Sequence, residues 1–200
     1  MVNFRKWLGK KENEDAYEEL VLGAMKIGCL VDYDLDTWEV IGVNVYDYEG
    51  FLTREWELRC KDEVRFLERA EDDGQIEWTL TRRVSLGEVE GDVAGAILDG
   101  RDPPEVVTYK DRAYHAVESS TGIQRPADDD PDEEEADEEE ADQEETDEDV
   151  GGEFASWSYE SEDRRVLYAI QRGEREFVAY EGEYVEEYQF TDILPAPQTG

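Results

Sequence analysis

Residues 153–188 read EFASWSYESEDRRVLYAIQRGEREFVAYEGEYVEEY, and this stretch decides the fold class. Apolar and polar residues alternate along it, for example around Val166 and Tyr168, and such alternation is typical of a strand with one buried face. Glycine-centred segments at residues 172–174 and 181–183 divide the stretch into short strands joined by tight turns. The pattern therefore predicts an antiparallel meander.

The same kind of pattern occurs earlier in the chain. From residue 28 onward the sequence predicts five strands, which read CLVDYDL, TWEVIGVNVYDY, LTREWELRC, VRFLERA and QIEWTLTRRV, with a tight turn at residues 49–50. Glycines and two prolines interrupt residues 85–104, which we interpret as a connector with a short helix over residues 93–98. Strands resume at residues 105–120.

Spaced aromatic and apolar residues recur between the two strand-rich blocks. The recurring residues are Val31, Tyr33 and Trp38 with Val107, Tyr109 and Tyr114, at an offset of 76, and Trp56 with Trp157, at an offset of 101. The offsets differ by 25, so the second block has gained about 25 residues where the first has only the turn at residues 49–50. We therefore predict a mainly β fold, an antiparallel β-roll, barrel or sandwich built from two similar half-repeats.

The inserted residues form a run of acidic side chains, which we call the acidic tract. Residues 128–149 read DDDPDEEEADEEEADQEETDED and hold 17 of the 56 acidic residues of the chain. We predict a disordered loop, because such a composition cannot bury a core. The tract is either a solvated run that keeps the protein soluble or an attractor for polyamines, divalent cations or a basic partner. The predicted division is residues 1–19 as a basic foot and short helix, 20–127 and 151–195 as two parts of one β-domain, 128–150 as the acidic insertion, and 196–200 as a tail.

The charge of the chain limits its partners. The formal net charge is -36, and outside the acidic tract 39 acidic residues still face 20 basic ones. Such a protein repels phosphate backbones, so we exclude a nucleic-acid-binding function. Arg outnumbers Lys by 14 to 6, and together with the acidity this fits adaptation to a cytoplasm rich in salt, or else a binding function of the acidic residues.

The sequence shows no catalytic or metal-binding constellation. His115 is the only histidine and lies in a predicted strand beside Tyr114, which is more typical of a structural or surface residue than of a base. Cys29 and Cys60 lie in separate predicted strands without a CxxC spacing, so we expect buried free thiols. We expect no cofactor, no metal and no enzyme activity.

The first eleven residues carry the only basic and aromatic patch of the sequence. This basic foot consists of Phe4, Arg5, Lys6, Trp7, Lys10 and Lys11. One interpretation is a weak contact with a membrane surface or a protein partner, and the other is a frayed terminus or a short helix that packs Trp7 on the domain. No signal-peptide pattern and no membrane-spanning window occur, so we expect a cytoplasmic protein, which under the first interpretation is also peripheral at the inner face of the membrane.

Tyrosines are numerous for a chain of this charge. Tyr46 and Tyr48 share one face of a predicted strand, and Tyr180, Tyr184 and Tyr188 lie close together in the last strands. These rings either belong to the core or line a binding surface.

Several segments resemble one known family. They are Leu22-Gly23 with Ile27-Gly28, then residues 37–59, TWEVIGVNVYDYEGFLTREWELR, and residues 157–185, WSYESEDRRVLYAIQRGEREFVAYEGEYV. They resemble the bacterial and archaeal family called domain of unknown function 4178, over about residues 20–125 and 151–195. The resemblance implies a β-rich cytoplasmic domain without an assigned activity, whose genes lie near those of phage-shock-type membrane-stress proteins and polyamine-synthesis enzymes. It implies no functional residues.

These observations favour a non-enzymatic protein-interaction module that is accessory to a cytoplasmic membrane-stress system. We expect it to dock a membrane-associated protein partner through exposed Tyr and Trp side chains, with help from the basic foot. The alternative is an accessory protein that binds polyamines or divalent cations through the acidic tract. A small-molecule pocket between the two half-repeats would instead indicate an enzyme.

Overall fold

The computed structural model describes residues 21–127 and 152–196, and in them almost all regular structure is β-strand. The strands are β1 (Leu30–Tyr33), β2 (Asp36–Tyr48), β3 (Phe51–Cys60), β4 (Glu63–Asp72), β5 (Gln75–Val84), β6 (Val106–Tyr109), β7 (Arg112–Pro126), β8 (Gly152–Glu160), β9 (Arg165–Arg172), β10 (Glu176–Val185) and β11 (Thr191–Leu194). They form one antiparallel sheet. The predicted mainly β, antiparallel class is confirmed.

Helix is scarce in the described residues. The helix α1 spans Val93–Leu98, where the connector is predicted to hold a short helix, and 3-10 turns occur at Leu22–Ala24, Leu86–Glu88 and Glu187–Gln189. Within this part of the chain, no helix has the length and apolar character needed to cross a membrane. The basic foot, the predicted short N-terminal helix, the acidic tract and the end of the tail lie outside the described residues.

The sheet curls into a near-closed ring of eight strands. Neighbouring strands follow the order β2, β3, β4, β5, β10, β9, β8, β7, and β7 pairs back onto β2, with residues 123–126 opposite residues 44–47. The remaining strands extend the two ends of the sheet: β1 and β11 continue beyond β2, and β6 continues beyond β7. Every strand of the ring therefore has a partner on both sides, although the β2–β7 contact is short.

The same order of hairpins occurs twice along the chain. Strands β1–β5 form a first unit and strands β6–β10 a second unit, and the two meet at the β5–β10 and β2–β7 pairs. Val31 lies opposite Trp38 in the first unit, and Val107 lies opposite Tyr114 in the second, 76 residues later. Strands β5 and β10 begin 101 residues apart, which is also the offset between Trp56 and Trp157.

Two apolar clusters cover the outer face of the ring. One lies on the first unit and is centred on Trp56 and Trp78, whose ring centroids are 5.7 Å apart. The Trp56 indole donates a hydrogen bond of 2.8 Å to the carbonyl of Met25, which ties the segment before β1 to the ring. The other cluster lies on the second unit and includes Val93 of α1 and Val107 of β6. These two clusters lie outside the ring, and a third, smaller cluster that includes Tyr46, Ile170 and Tyr180 contributes to its interior.

The turn predicted at residues 181–183 is wrong. Strand β10 runs through these residues without a break, and Gly182 pairs with Thr81 of β5. A Cβ atom on Gly182 would overlap the carbonyl oxygen of Leu80. Glycine is required here because two backbones approach closely, which is the other common reason for a glycine inside a strand.

Candidate functional site

The interior of the ring contains a cavity of about 810 Å³. Strands β2–β5 of the first unit and β7–β10 of the second unit all contribute to its lining, so the cavity lies between the two units. Its volume is within the range of small-molecule sites in proteins.

Alternation along strand β3 places polar side chains in this interior. On β3, Thr53 and Glu55 line the cavity, whereas Trp56 and Leu58 belong to the outer apolar cluster. Successive side chains of a strand point to opposite faces, so an outer face that is apolar leaves the polar positions for the inside of the ring. The usual expectation for a half-buried antiparallel strand, with polar residues facing solvent, therefore fails on β3.

Two carboxyl groups face each other across neighbouring strands in this cavity. Glu55 on β3 lies directly opposite Glu68 on β4, and both line the cavity. Glu55 is 8% exposed, and its Oε1 accepts hydrogen bonds from the Tyr46 hydroxyl, at 2.9 Å, and from the Asn44 amide, at 3.2 Å. Within the described residues, the Glu68 carboxyl forms neither a hydrogen bond nor an ion pair. We call Glu55 and Glu68 the carboxyl pair.

Burial raises the pKa of both members of the carboxyl pair. The pKa of Glu55 rises to about 7, mainly through desolvation and in part through the charge of Glu57, while the hydrogen bonds from Tyr46 and Asn44 and the charge of Arg172 oppose the rise. The pKa of Glu68 rises to about 8, through desolvation and then through the charges of Glu55 and Glu77. At neutral pH the pair therefore holds a proton that a nearby cation would expel.

Tyrosine rings form much of the remaining wall. The lining tyrosines are Tyr46, Tyr48, Tyr159, Tyr168, Tyr180 and Tyr184. Desolvation is the main cause that raises the pKa of each of these phenols, so they are neutral near pH 7. Of the tyrosines considered in the sequence as core or binding surface, all but Tyr188 line the cavity, and Tyr188 is 79% exposed.

Two residues that line the cavity, Thr53 and Tyr159, have a buried hydroxyl without a hydrogen-bond partner among the described residues. Thr53 is 4% exposed, lies two residues before Glu55 on the same strand face, and lines the cavity. Its Oγ1 has no partner among the described residues. Buried polar atoms are nearly always satisfied in folded proteins, so an orphan hydroxyl facing a cavity is free to form a hydrogen bond with a molecule that enters it.

The second unit has no carboxyl pair at the corresponding place. At the equivalent place on β8 and β9, Ser156 lies opposite Ile170, and both line the same cavity. A buried and a half-buried carboxyl group, Glu55 and Glu68, on adjacent strands are costly, because each loses hydration and each repels the charge of the other. The first unit therefore carries an expensive arrangement that the equivalent strands of the second unit do without.

A second buried acid, Glu181, has a different character. Its carboxylate accepts hydrogen bonds from Arg165, at 2.6 and 3.0 Å, from Arg82, at 3.3 Å, and from the Tyr114 hydroxyl, at 3.2 Å. This network joins β5, β7, β9 and β10 and satisfies the charge with protein groups. We assign it a structural role.

The residues named from the sequence lie elsewhere. His115 is exposed on β7, and Cys29 and Cys60 are free thiols, the first buried and the second partly buried. Residues 21–127 and 152–196 contain no group of three His, Cys, Asp or Glu side chains that could hold a metal ion. The six residues of the basic foot are outside the described part of the chain.

The carboxyl pair could not be recognised in the sequence, because the chain has 56 acidic residues and therefore very many possible carboxyl pairs. The available signal was positional. Glu55 alternates with the apolar residues Trp56 and Leu58, and the 101-residue offset makes Ser156 its equivalent in the second unit. An acidic residue in a strand whose equivalent in the other unit is small or apolar is therefore a candidate for the interior of the ring.

The comparisons with known proteins identify relatives but no activity. A protein of Aquifex aeolicus (strain VF5), described as an uncharacterized protein, is 28% identical over 194 residues, which is 95% of this chain and 96% of that protein. No solved structure matches the chain. The family described as Domain of unknown function (DUF4178) matches residues 26–187, which include all but the last strand of the sheet, and the chain belongs to this family.

Proposed function

We propose that the protein is a non-enzymatic binding module that holds a small molecule in the cavity of the strand ring. The observation that carries the proposal is the carboxyl pair, because it occupies a cavity of ligand size in the first unit while the second unit has Ser156 and Ile170 in its place. A costly group that the fold does not need is retained where it contributes to function.

The architecture supports a preformed site. We interpret the ring as a small β-barrel made of two half-repeats, with the ligand held between them. Each wall strand is hydrogen-bonded to neighbours on both sides and backed by an outer apolar cluster. Side chains on such strands are held in place before a ligand arrives, which reduces the entropic cost of binding.

A binding role for the interior replaces docking through exposed aromatic rings as the leading proposal. Among the described Tyr and Trp residues, only Tyr188 is largely exposed. Trp38, Trp56 and Trp78 are buried in the outer core of the first unit. An accessory role in a membrane-stress system stays a proposal, and in it the loaded or empty state of the module would be what a protein partner recognises.

Catalysis is the competing interpretation, since the cavity lies between the two units, which is the feature expected of an enzyme, and a carboxyl pair with raised pKa values is also suited to acid and base roles. We favour binding because the cavity lining in the described residues includes no histidine, cysteine or lysine beside the pair. Turnover of any bound compound would contradict a purely binding role.

The proposal is tested with a fragment library and ligand-observed NMR. We expect fragments that bind the full-length protein to lose binding in Ala70→Trp, because Ala70 lines the cavity and an indole there occupies the ligand volume. Ala113→Trp is the matched control, since Ala113 is exposed on β7. The proposal fails if no fragment distinguishes the two variants while both remain folded by circular dichroism.

A further inference from the structure

The cavity is strongly anionic. Seven acidic residues contribute to its lining, and none of the described lining residues is Lys, Arg or His. Besides the carboxyl pair, the acids are Glu49, Asp72, Glu77, Glu118 and Glu160. The nearest cationic influence on the pair is Arg172, which acts on Glu55 but does not line the cavity. The acidic side chains repel an anionic ligand from the cavity and attract a cation into it.

We infer, resting on the cavity being the ligand site proposed above, that the ligand is a small organic cation of the ammonium type, held by Glu55 and Glu68 beneath a wall of tyrosine rings. The positive group lies at the carboxyl pair, where Glu68 has a free carboxyl group. The unpaired hydroxyl of Thr53 accepts or donates a hydrogen bond to a polar atom of the same ligand.

Two features favour an organic cation over a metal ion. Calcium requires six to eight oxygen ligands and magnesium a near-ideal octahedron, whereas the described residues offer no cluster of three acidic ligands. The tyrosine phenols are neutral, and their rings attract an ammonium group through its charge while also packing against its carbon atoms. Carboxylates combined with aromatic rings are the usual means of recognising organic cations.

Binding of a cation is coupled to release of a proton. The carboxyl pair faces Asn44, Tyr46 and Tyr48 on β2, Glu57 on β3, Glu77 on β5, Tyr168 and Arg172 on β9, and Tyr180 on β10. In this setting the pair is partly protonated at pH 7, and a bound ammonium group lowers the pKa of each carboxyl group. A cation attached to exposed surface acids, which are already ionised, releases no proton.

The test is calorimetry on the full-length protein with probes that differ only in charge. Choline is compared with its neutral isostere 3,3-dimethylbutan-1-ol, and butylammonium with butan-1-ol, at about 0.5 M salt so that loose attraction to surface acids is screened. Choline carries a fixed charge and does not titrate. Repeating the titration in buffers of different ionisation enthalpy gives the number of protons released.

We expect at least one cation to bind about tenfold or more tightly than its neutral counterpart, with proton release at pH 7 that disappears near pH 9.5. Glu68→Gln is expected to abolish this preference. Glu162→Gln, in the exposed turn between β8 and β9, is the control and should retain it. Because Glu68→Gln buries an amide, Glu55→Ser with Glu68→Ile, which copies the second unit, serves as a second loss-of-charge variant.

Each other result contradicts either the cation inference alone or the proposed function as well. Equal binding of neutral and cationic probes leaves the cavity as a ligand site and removes the preference for cations. Binding of cations that survives in both carboxyl-pair variants places the cation on the protein surface. If no probe binds but fragments still distinguish Ala70→Trp from Ala113→Trp, the cation inference fails and the proposed function stands, and if neither is seen, both fail.

Discussion

The ionised Glu68 carboxylate is unfavourable for the stability of the fold, although the proposed cation binding requires it. Its pKa rises from an ordinary 4.5 to about 8 in the folded protein. Between these values the folded state holds a proton that the unfolded state releases, so the stability contributed at low pH is lost as pH rises through the window from about 4.5 to 8. Glu55, with a pKa of about 7, has the same sign over a narrower window.

The pH dependence of stability measures this conflict directly. Between pH 5 and pH 9 we expect wild-type protein to lose on the order of 4 kcal/mol relative to Glu68→Gln, since one pKa unit corresponds to about 1.4 kcal/mol. Urea unfolding of both proteins across this range gives the difference. Parallel curves for the two proteins would show that the Glu68 carboxyl is as well hydrated when folded as when unfolded.

Exchanging the equivalent residues of the two units separates stability from function. Glu55→Ser combined with Glu68→Ile should raise the free energy of unfolding by about 1 to 4 kcal/mol at pH 8, because two desolvated and mutually repelling carboxyl groups are removed, of which Glu68 has no hydrogen-bond partner. The reverse exchange, Ser156→Glu with Ile170→Glu, is expected to destabilise the ring. Thermal melts of the two variants beside wild type provide the measurement, and a destabilised first variant would contradict the view that the carboxyl pair is retained against stability.

At the scale of the elements, the ring depends on a short contact between β2 and β7. Gly122 of β7 lies where a Cβ atom would overlap the carbonyl oxygen of Asp47 and come within 2.9 Å of the Phe154 ring. Gly122→Val should therefore separate β2 from β7 and cost about 1 to 3 kcal/mol, the usual range for overpacking.

Amide hydrogen exchange locates this effect. We expect faster exchange in residues 44–47 and 123–126 of Gly122→Val, while the β3–β4 ladder keeps its protection. Gly173, which has open space around the Cβ position, is unsuitable as a control because its φ is +68°. Ala113→Val on exposed β7 is the matched change. Uniformly faster exchange in both variants would mean that the closure is not a separate element.

The elements were predictable from the sequence to the extent that they are local. Alternation with a period of two is set within each strand, so most strands and the helix at Val93–Leu98 are found where the pattern indicates. The short strand β11 was not predicted, and β7 continues beyond residue 120, where its prediction ended. Ring closure pairs residues 44–47 of β2 with residues 123–126 of β7, which are far apart in the sequence, and no local pattern encodes it. The same is true of Gly182, whose close approach to β5 resembles a turn signal in the sequence.

The candidate site was predictable only in part. The tyrosines at positions 46, 48, 180 and 184 were recognisable as core or binding surface, and the structure places them in the cavity wall. The carboxyl pair was not, because an alternating Glu is normally solvent-facing and becomes interior only when the sheet curls with its apolar face outward. That choice of face is a property of the whole molecule.

For the whole molecule, the acidic tract and the basic foot stay predictions, since both lie outside the described residues. A pull-down from native lysate at native salt compares full-length protein with a deletion of residues 128–149 and one of residues 1–11. We expect the tract deletion to retrieve the same proteins as the full chain, because a solvated run adds charge without a specific contact. Loss of a partner with the tract would make the tract the functional element.

If the protein without residues 1–11 binds membranes as the full-length protein does, the proposed membrane contact of the basic foot is wrong.

The central claim is that a carboxyl pair inside the ring recognises a cation, and side-chain carboxyl ¹³C NMR tests it most directly. Titration of the free protein should show two carboxyl groups with apparent pKa values of about 7 and 8, assigned by their loss in Glu55→Ser with Glu68→Ile. Addition of choline or butylammonium should move both values down, and the neutral isosteres should not. Carboxyl groups that all titrate near ordinary values, or a raised pair that no cation moves, would contradict the account.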